Sequence, residues 1–376
     1  MKFKVSSKAL YSTLSGVSKV INAKNTLTIL DCFLWEISEN KLTITASDSE
    51  NTLTSTVEII DTVGTGRLCV NARRICDVAK ELPDVDVEIE INESSLAIQI
   101  KFPGGSFDMM GISADQYPQT VESMDGEETK ELVASAKQII NGIDNTLFAV
   151  STDRYRPQLT GTFWDIREDS IIFVSADNRK LVRYTDGTSK PGITASCIIQ
   201  VKPSVIMKNL FAKEETVRAT LSAHSAVFHT ETTTFTTRFI KGKYPEYNRV
   251  IPVNNPYVLT VDRNSLLTAV RRVSVCSDPS HGLVKFRLTP NKMELKVDDP
   301  NVGSNAYEEM PCDFTGDELT IGFSAPHLIE ILNTLSTDNI IIRLADKSRA
   351  GVFTPDVNDD DTDLTIVLTP ITFQDF

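Results

Sequence analysis

Polar and apolar residues alternate along Lys2-Phe3-Lys4-Val5, and apolar residues then recur at Leu10, Leu14, Val17 and Ile21. A period of two giving way to the helical period predicts a strand that leads into a helix packed by one stripe on a sheet. The same change occurs twice more. Leu132-Val133-Ala134 runs into Ile140, Ile143 and Leu147, and Leu259-Thr260-Val261 runs into Leu266, Val270 and Val273. The last valines of these strands, Val5, Val133 and Val261, are 128 residues apart both times.

Other segments recur in the same order. A hairpin ending in aspartate appears at Lys41 to Asp48, Ser170 to Asp177 and Lys292 to Asp298. A strand–helix–strand block follows each, at Arg67 to Ile91, Ser196 to Leu221 and Glu318 to Leu344, and Tyr117-Pro118 and Tyr244-Pro245 close two copies. The repeat predicts an α+β chain of three tandem units, each reading β-α-β-β-β-α-β-β-β with two helices on one face of antiparallel sheet. The expected domains are 1–122, 130–252 and 256–376, divided by the acidic stretch from Glu122 to Glu131 and by Pro252 to Pro256.

Composition adds a difficulty. The 376 residues hold 38 basic and 51 acidic side chains, a net charge of −13, which taken alone opposes nucleic-acid binding. The helix faces change that. With the apolar stripe of the first helix against the sheet, Lys8, Ser12, Ser15 and Lys19 face outward. In the second, Ile75, Val78, Ala79 and Leu82 face in and Arg73, Asp77 and Lys80 face out. The third is expected to present Gln138, Asn141 and Asn145, the fourth Lys208, the fifth Asn264, Thr268 and Arg271, and the sixth Glu330 and Asn333. Six bases against two acids on these faces, in an acidic chain, suggests segregated charge: one positive surface for phosphates and an acidic exterior. Sparse Lys, Arg and Asn contacts would hold phosphates without reading bases, which permits sliding. The competing reading is a plain solvated helix face.

With 41% apolar and 24% charged residues the chain reads as soluble and globular. No apolar run approaches the ~20 residues of a membrane span, and the opening lacks the apolar core of a signal peptide. A cytoplasmic location is expected. Cys32, Cys69, Cys76, Cys197, Cys276 and Cys312 are scattered without C-x-x-C spacing, as buried free thiols would be.

Along its whole length the chain resembles the bacterial sliding clamp family, the β subunit of the replicative DNA polymerase. The resemblance lies in the triplication, Met1-Lys2-Phe3, Asn25 to Leu30, Ala72-Arg73-Arg74, Tyr244-Pro245-Glu246-Tyr247, Val250-Ile251-Pro252 and Val367 to Ile371. It implies half of a six-domain homodimeric ring around duplex DNA, with helices lining the hole and no catalytic site, cofactor or metal. Lys8, Lys19, Lys24, Arg73, Lys80, Lys202, Lys208 and Arg271 would face the DNA. Phe107 and Met109 of one copy would meet Val275 and Cys276 of the other. The replicative polymerase, the clamp loader and other replication and repair proteins would insert short peptides, with a glutamine and bulky apolar anchors, into one pocket. By position that pocket comprises Arg156, Leu159, Ala176, Asn178, Lys180, Leu181, Pro245, Val250, Val367, Leu368, Thr369 and Pro370; for its aliphatic members the competing reading is plain core. There are departures. Ala176 to Leu181 replaces T-D-G-H-R-L, Pro157-Gln158 replaces an aromatic pair, and Thr369 stands where Met is usual. A tail, Phe373-Gln374-Asp375-Phe376, runs past the usual end, and Phe373 or Phe376 is a candidate occupant of the pocket.

The alternative class is a carboxylate- or metal-dependent nuclease or hydrolase; a scaffolding repeat that never meets DNA is a third reading. The sequence offers little for catalysis. Gly64-Thr65-Gly66 lacks the third glycine of a dinucleotide loop. His224 and His229, five residues apart on a strand, would face opposite ways. The run Asp356 to Asp363 lacks the glycine and final glutamate of a calcium loop and reads as a hairpin connection. Asp48, Asp177 and Asp298 repeat structurally and are expected to shape turns.

Overall fold

The computed structural model describes residues 1–118, 128–278, 282–299, 303–374 and 376. The expected domain end at 122 and the acidic stretch up to residue 127 lie outside them. Packing divides the chain into two compact units, Met1–Ala136 with Val205–Phe239, and Lys137–Ser204 with Ile240–Phe376.

The first unit holds two antiparallel sheets. One runs β5 (Ile60–Val63), β1 (Lys2–Ser6), β7 (Asp86–Ile91), β8 (Ala97–Phe102) and β9 (Gly105–Met110). The other runs β10 (Lys130–Ser135), β15 (Thr216–Leu221), β16 (Ser225–His229), β17 (Thr233–Arg238), β4 (Asn51–Glu58), β3 (Lys41–Ser47), β2 (Cys32–Ile37) and β6 (Gly66–Asn71). Helices α1 (Ser7–Ser18) and α2 (Ala72–Glu81) pack side by side. Leu10, Leu14 and Val17 of α1 and Ile75 and Ala79 of α2 are buried. The residue ending each preceding strand stops the ladder and starts the helix. Ser6 accepts from Ala9 N–H at 3.4 Å and Asn71 from Arg74 N–H at 3.0 Å, satisfying donors the first turn leaves free.

The second unit holds a sheet in the order β14 (Ala195–Gln200), β11 (Gly161–Ile166), β12 (Ile171–Ala176), β13 (Lys180–Asp186), β26 (Thr362–Leu368), β25 (Gly351–Pro355), β24 (Asn339–Leu344), β18 (Tyr257–Asp262) and β22 (Asp313–Phe314). A smaller one runs β21 (Ser304–Pro311), β20 (Lys292–Asp299), β19 (Leu283–Thr289) and β23 (Leu319–Ser324). Helix α5 (Arg263–Ser274) packs against α6 (Ala325–Thr334), and Asp262 caps α5 by accepting from Ser265 N–H at 2.7 Å. Helix α3 (Ala136–Thr146) follows β10, and α4 (Val201–Leu210) follows β14.

The strand–helix pairs β1–α1, β10–α3 and β18–α5 are the predicted repeat, and β6–α2, β14–α4 and β23–α6 are its second half. The expected order needs correction: at least four strands, not three, lie between the two helices of each copy. Helix α3 is also turned from its expected phase. Gln138 is buried rather than outward, its Nε2 donating to the Asp186 carbonyl (2.9 Å), Asp186 Oδ1 (3.2 Å) and the Ser189 carbonyl (3.0 Å). Gly142 lies against Phe173, where a Cβ would come within 2.3 Å of the ring, so Ile139, Gly142, Ile143 and Thr146 form the inner face.

Candidate functional site

In a strand, neighbouring residues face opposite sides of the sheet and directly paired residues share a side. Ala176 pairs with Leu181, and Leu181 with Val367, so three strands place one apolar residue each on the same face. Leu159, from a short 3-10 turn over Pro157–Leu159, joins them in a cluster with Ile172, Val174, Ile198, Tyr244 and Tyr247. Phe163 packs on this cluster and stacks on Tyr244 at 4.8 Å. Tyr247 is oriented at its polar end: its hydroxyl donates to Asp165 Oδ2 at 3.0 Å, and Arg167 Nη2 donates to the same oxygen at 2.9 Å. Burial, then the Asp165 carboxylate, pushes the Tyr247 hydroxyl above its ordinary pKa. A cleft of about 390 Å³ adjoins the cluster through Ile172 and Tyr247, with Arg167, Arg183 and Asp363 among its walls.

Around this floor, Arg156, Asn178, Pro245, Val250 and Thr369 are exposed, and Pro370 is buried. Val250 is 57% exposed, and its N–H donates to the Tyr247 carbonyl of the cluster at 3.1 Å. Arg156 Nε donates to Asp153 Oδ2 at 3.1 Å. Thr369 N–H donates to the Arg179 carbonyl at 2.8 Å, tying the chain after β26 to the 177–180 turn. Leu159, Ala176, Leu181 and Val367 are themselves buried, and the exposed residues stand next to them in the chain or on the adjoining turns.

Two expected members are placed elsewhere. Lys180 pairs with Leu368, so both lie on the opposite face from Leu181 and Val367. The side chain of Lys180 is buried there against Glu330 (2.5 Å). The tail also departs from expectation. Ile371 N–H donates to the Gly322 carbonyl at 2.8 Å, the Phe373 ring lies 5.5 Å from Lys285 Nζ, and Phe376 lies 4.1 Å from the Arg287 guanidinium. These contacts seat both rings on the smaller sheet of the second unit and not on the apolar cluster; cation–π attraction to three strand cations, the third being Lys296, accounts for the position. Asp375 lies outside the described residues.

Most of the helix cations are exposed. In the first unit Lys8, Lys19, Arg73 and Lys80 are exposed on α1 and α2, with Lys24 exposed beyond α1. In the second unit Arg271 is exposed on α5 and donates to Asn333 Oδ1 on α6 at 3.2 Å. Lys202 and Lys208 on α4 are half-buried. Of the two acids on these faces, Glu330 is already paired with Lys180, which lowers the negative charge left there. The turned phase of α3 adds Lys137, an exposed cation that apolar counting did not reveal. Tyr155, next to Arg156, is 98% exposed.

β9 and β21 are two of the edge strands of the four sheets. β9 pairs only with β8; on it Phe107 stacks on Phe102 at 5.6 Å, Met109 is buried and Met110 is 62% exposed. A cleft of about 750 Å³ runs beside Met109 and Met110. β21 pairs only with β20, and Ser304 Oγ at its start donates to the Cys276 carbonyl at 3.3 Å. Val275, at the end of α5, is 83% exposed and Cys276 is half-buried. Free edges invite pairing with another chain.

The residues weighed for catalysis have structural duties. Asp48 Oδ1 accepts from Glu50 and Asn51 N–H, and Asp177 Oδ1 from Arg179 and Lys180 N–H, closing turns. Asp298 corrects the expectation of a third such turn: it lies within β20 and receives Lys285 Nζ at 3.1 Å. The aspartate run joins β25 to β26 as a hairpin connection. Burial raises the Cys69 thiol to about 12 and the Cys76 and Cys312 thiols to about 11, which keeps them protonated at neutral pH.

Family models match the chain in three consecutive parts. Residues 1–121 match the N-terminal domain of the DNA polymerase III beta subunit, 134–246 its central domain and 248–370 its C-terminal domain. A beta sliding clamp of Pseudomonas putida is 26% identical over 363 residues, 96% of this chain and 97% of that protein. The crystal structure of the DNA polymerase III subunit beta from Pseudomonas aeruginosa superposes with a TM-score of 0.91 at 24% identity, covering 99% of this chain and 100% of that one. A sliding clamp from Bartonella birtlesii, solved bound to griselimycin, gives a TM-score of 0.90 at 25% identity over 99% and 100% of the two chains.

Proposed function

The chain belongs to the DNA polymerase III beta subunit family, and from that premise we propose that two copies close head to tail into a six-domain ring around duplex DNA. As a sliding clamp it serves DNA replication as a processivity factor. Its work is mechanical and not catalytic: the ring keeps the replicative polymerase on its template. The three domains are 1–122, 130–252 and 256–376, and the protein acts in the cytoplasm.

The observation that carries this reading is the exposure of Lys8, Lys19, Arg73 and Lys80 on the outward faces of α1 and α2 in a chain of net charge −13. Such cations hold phosphates without reading sequence. Lys24 and Lys208 in the first unit, and Lys202 and Arg271 in the second, would contact phosphates as well. Ring closure uses two of the edge strands: β9 with Phe107 and Met109 from one copy, β21 with Val275 and Cys276 from the other. A cyclic dimer then has two equivalent contacts and leaves neither edge open.

The polymerase, the clamp loader and other replication and repair proteins dock by short peptides on the groove of Leu159, Ala176, Leu181 and Val367. Its rim is Arg156, Asn178, Pro245, Val250 and Thr369, with Pro370 buried next to Thr369. Light scattering with primer extension on a long template tests the whole reading. A dimer that lengthens the product made in one binding event is expected. A stable monomer, or a dimer that leaves product length unchanged when supplied with its own loader and polymerase, would overturn it.

A further inference from the structure

Behind the apolar groove lies one buried charge. The Lys180 side chain is 5% exposed, and its ammonium meets Glu330 Oε2 at 2.5 Å, His327 Nδ1 at 3.2 Å and Asp177 Oδ2 at 3.7 Å. The Phe148 ring lies 5.6 Å away. An ammonium is costly to bury unless partners replace its water, and here three polar partners and a ring face do so. Glu330 and His327 stand one turn apart on α6 and are themselves 3.5 Å apart.

The backbone of Lys180 is as constrained as its side chain. Its N–H donates to Asp177 Oδ1 at 2.8 Å, and the same oxygen receives Arg179 N–H at 2.6 Å. Lys180 also pairs with Leu368 across the β13–β26 seam, and one residue on, Thr369 N–H donates to the Arg179 carbonyl. One side chain therefore anchors to α6 both the turn that presents Ala176 and Asn178 and the seam that presents Leu181 and Val367.

We propose that Lys180, clamped by Glu330 and His327, is a positioning residue for the peptide groove. It acts from the back of the sheet and does not touch the ligand. It fixes the 177–180 turn and the β13–β26 seam against α6, so the groove is formed before the peptide arrives. Preformed sites bind more tightly because the ordering cost is already met. The proposal rests on the reading of the groove as a peptide site.

The test uses the full-length protein and a short fluorescein-labelled peptide carrying glutamine, leucine and phenylalanine. Its affinity is measured by fluorescence polarisation, and amide exchange over residues 176–181 is followed in parallel. Lys180→Met keeps the stem and removes the charge; Glu330→Gln is the milder variant should Lys180→Met fail to fold. Each is expected to weaken the peptide about tenfold, and because the groups act as one unit the double variant should be no worse than the weaker single. Lys180→Arg should recover most of the affinity. Amide exchange over 176–181 should quicken in the weakened variants at temperatures where the chain stays folded. Val250→Asp, on the rim, controls for the groove itself. If Val250→Asp loses the peptide while Lys180→Met and Glu330→Gln both bind as the parent does, positioning by Lys180 is overturned. If no variant changes binding, the groove reading fails and takes this proposal with it.

Discussion

Reversing charge at both ends of α2 separates DNA contact from folding. Arg73 is the second residue of the helix and Lys80 lies in its last turn; both are exposed. A carboxylate at position 73 meets the positive end of the helix dipole, and one at position 80 meets the negative end. Each interaction is worth about 0.3–1 kcal/mol, and the signs oppose, so Arg73→Glu with Lys80→Glu should leave stability within about 1 kcal/mol of the parent. Binding should change far more. Each phosphate contact contributes about 0.9 to the slope of log affinity against log salt, so losing two contacts lowers the slope by about 1.8 per copy. Anisotropy of a labelled duplex, titrated at several salt concentrations, reads the slope directly, and urea unfolding reads stability. An unchanged slope in a folded variant would refute the assignment of α2 to the DNA-facing surface.

Three further outcomes follow from particular contacts. Gly142→Ala places a methyl where the Phe173 ring already sits, 2.3 Å from Cε2, and should cost about 1–3 kcal/mol as overpacking, read as a lower thermal midpoint. Deleting Phe373 to Phe376 removes rings from Lys285, Arg287 and Lys296, so it should lower the thermal midpoint slightly while leaving peptide affinity intact. Hydrogen bonds from Ser265, side chain first and backbone second, hold the Asp262 carboxyl below its ordinary range. Its stabilisation is therefore present above the unfolded value of about 3.9 and is lost as pH falls through the lower folded value. Asp262→Asn, which still accepts at the N-cap, should flatten that acid limb in unfolding curves taken below pH ~4.

The repeat was readable because the first strand–helix pair of each copy keeps its valine, and α5 and α6 bury the residues their periodicity names; α1 buries Leu10, Leu14 and Val17, while Ile21 falls past its end and is half-buried. Helix α3 was not. Gln138, Gly142 and Thr146 take inner positions for reasons no apolar count contains: a loop to hydrogen-bond, a ring to accommodate, a buried carbonyl to satisfy. Leu159, Ala176, Leu181 and Val367 come together in one buried apolar cluster. Lys180 and Leu368 were separable from Leu181 and Val367 on parity alone, since neighbours on a strand cannot share a face. The partners that then claim Lys180 lie about 150 residues further along, on α6, where local pattern carries no information. The seat of the tail was equally hidden, because Lys285, Arg287 and Lys296 become its partners only once their strands are aligned.

The central claim is topological, so the most direct measurement compares circular with linearised duplex DNA after loading, by gel filtration at moderate salt. A closed ring stays with the circle and runs off the ends of the line. Loading is verified separately, by recovery of the protein with the circle before linearisation. Loss from the line alone is the predicted result; equal retention on circle and line would mean ordinary surface binding and would contradict the account.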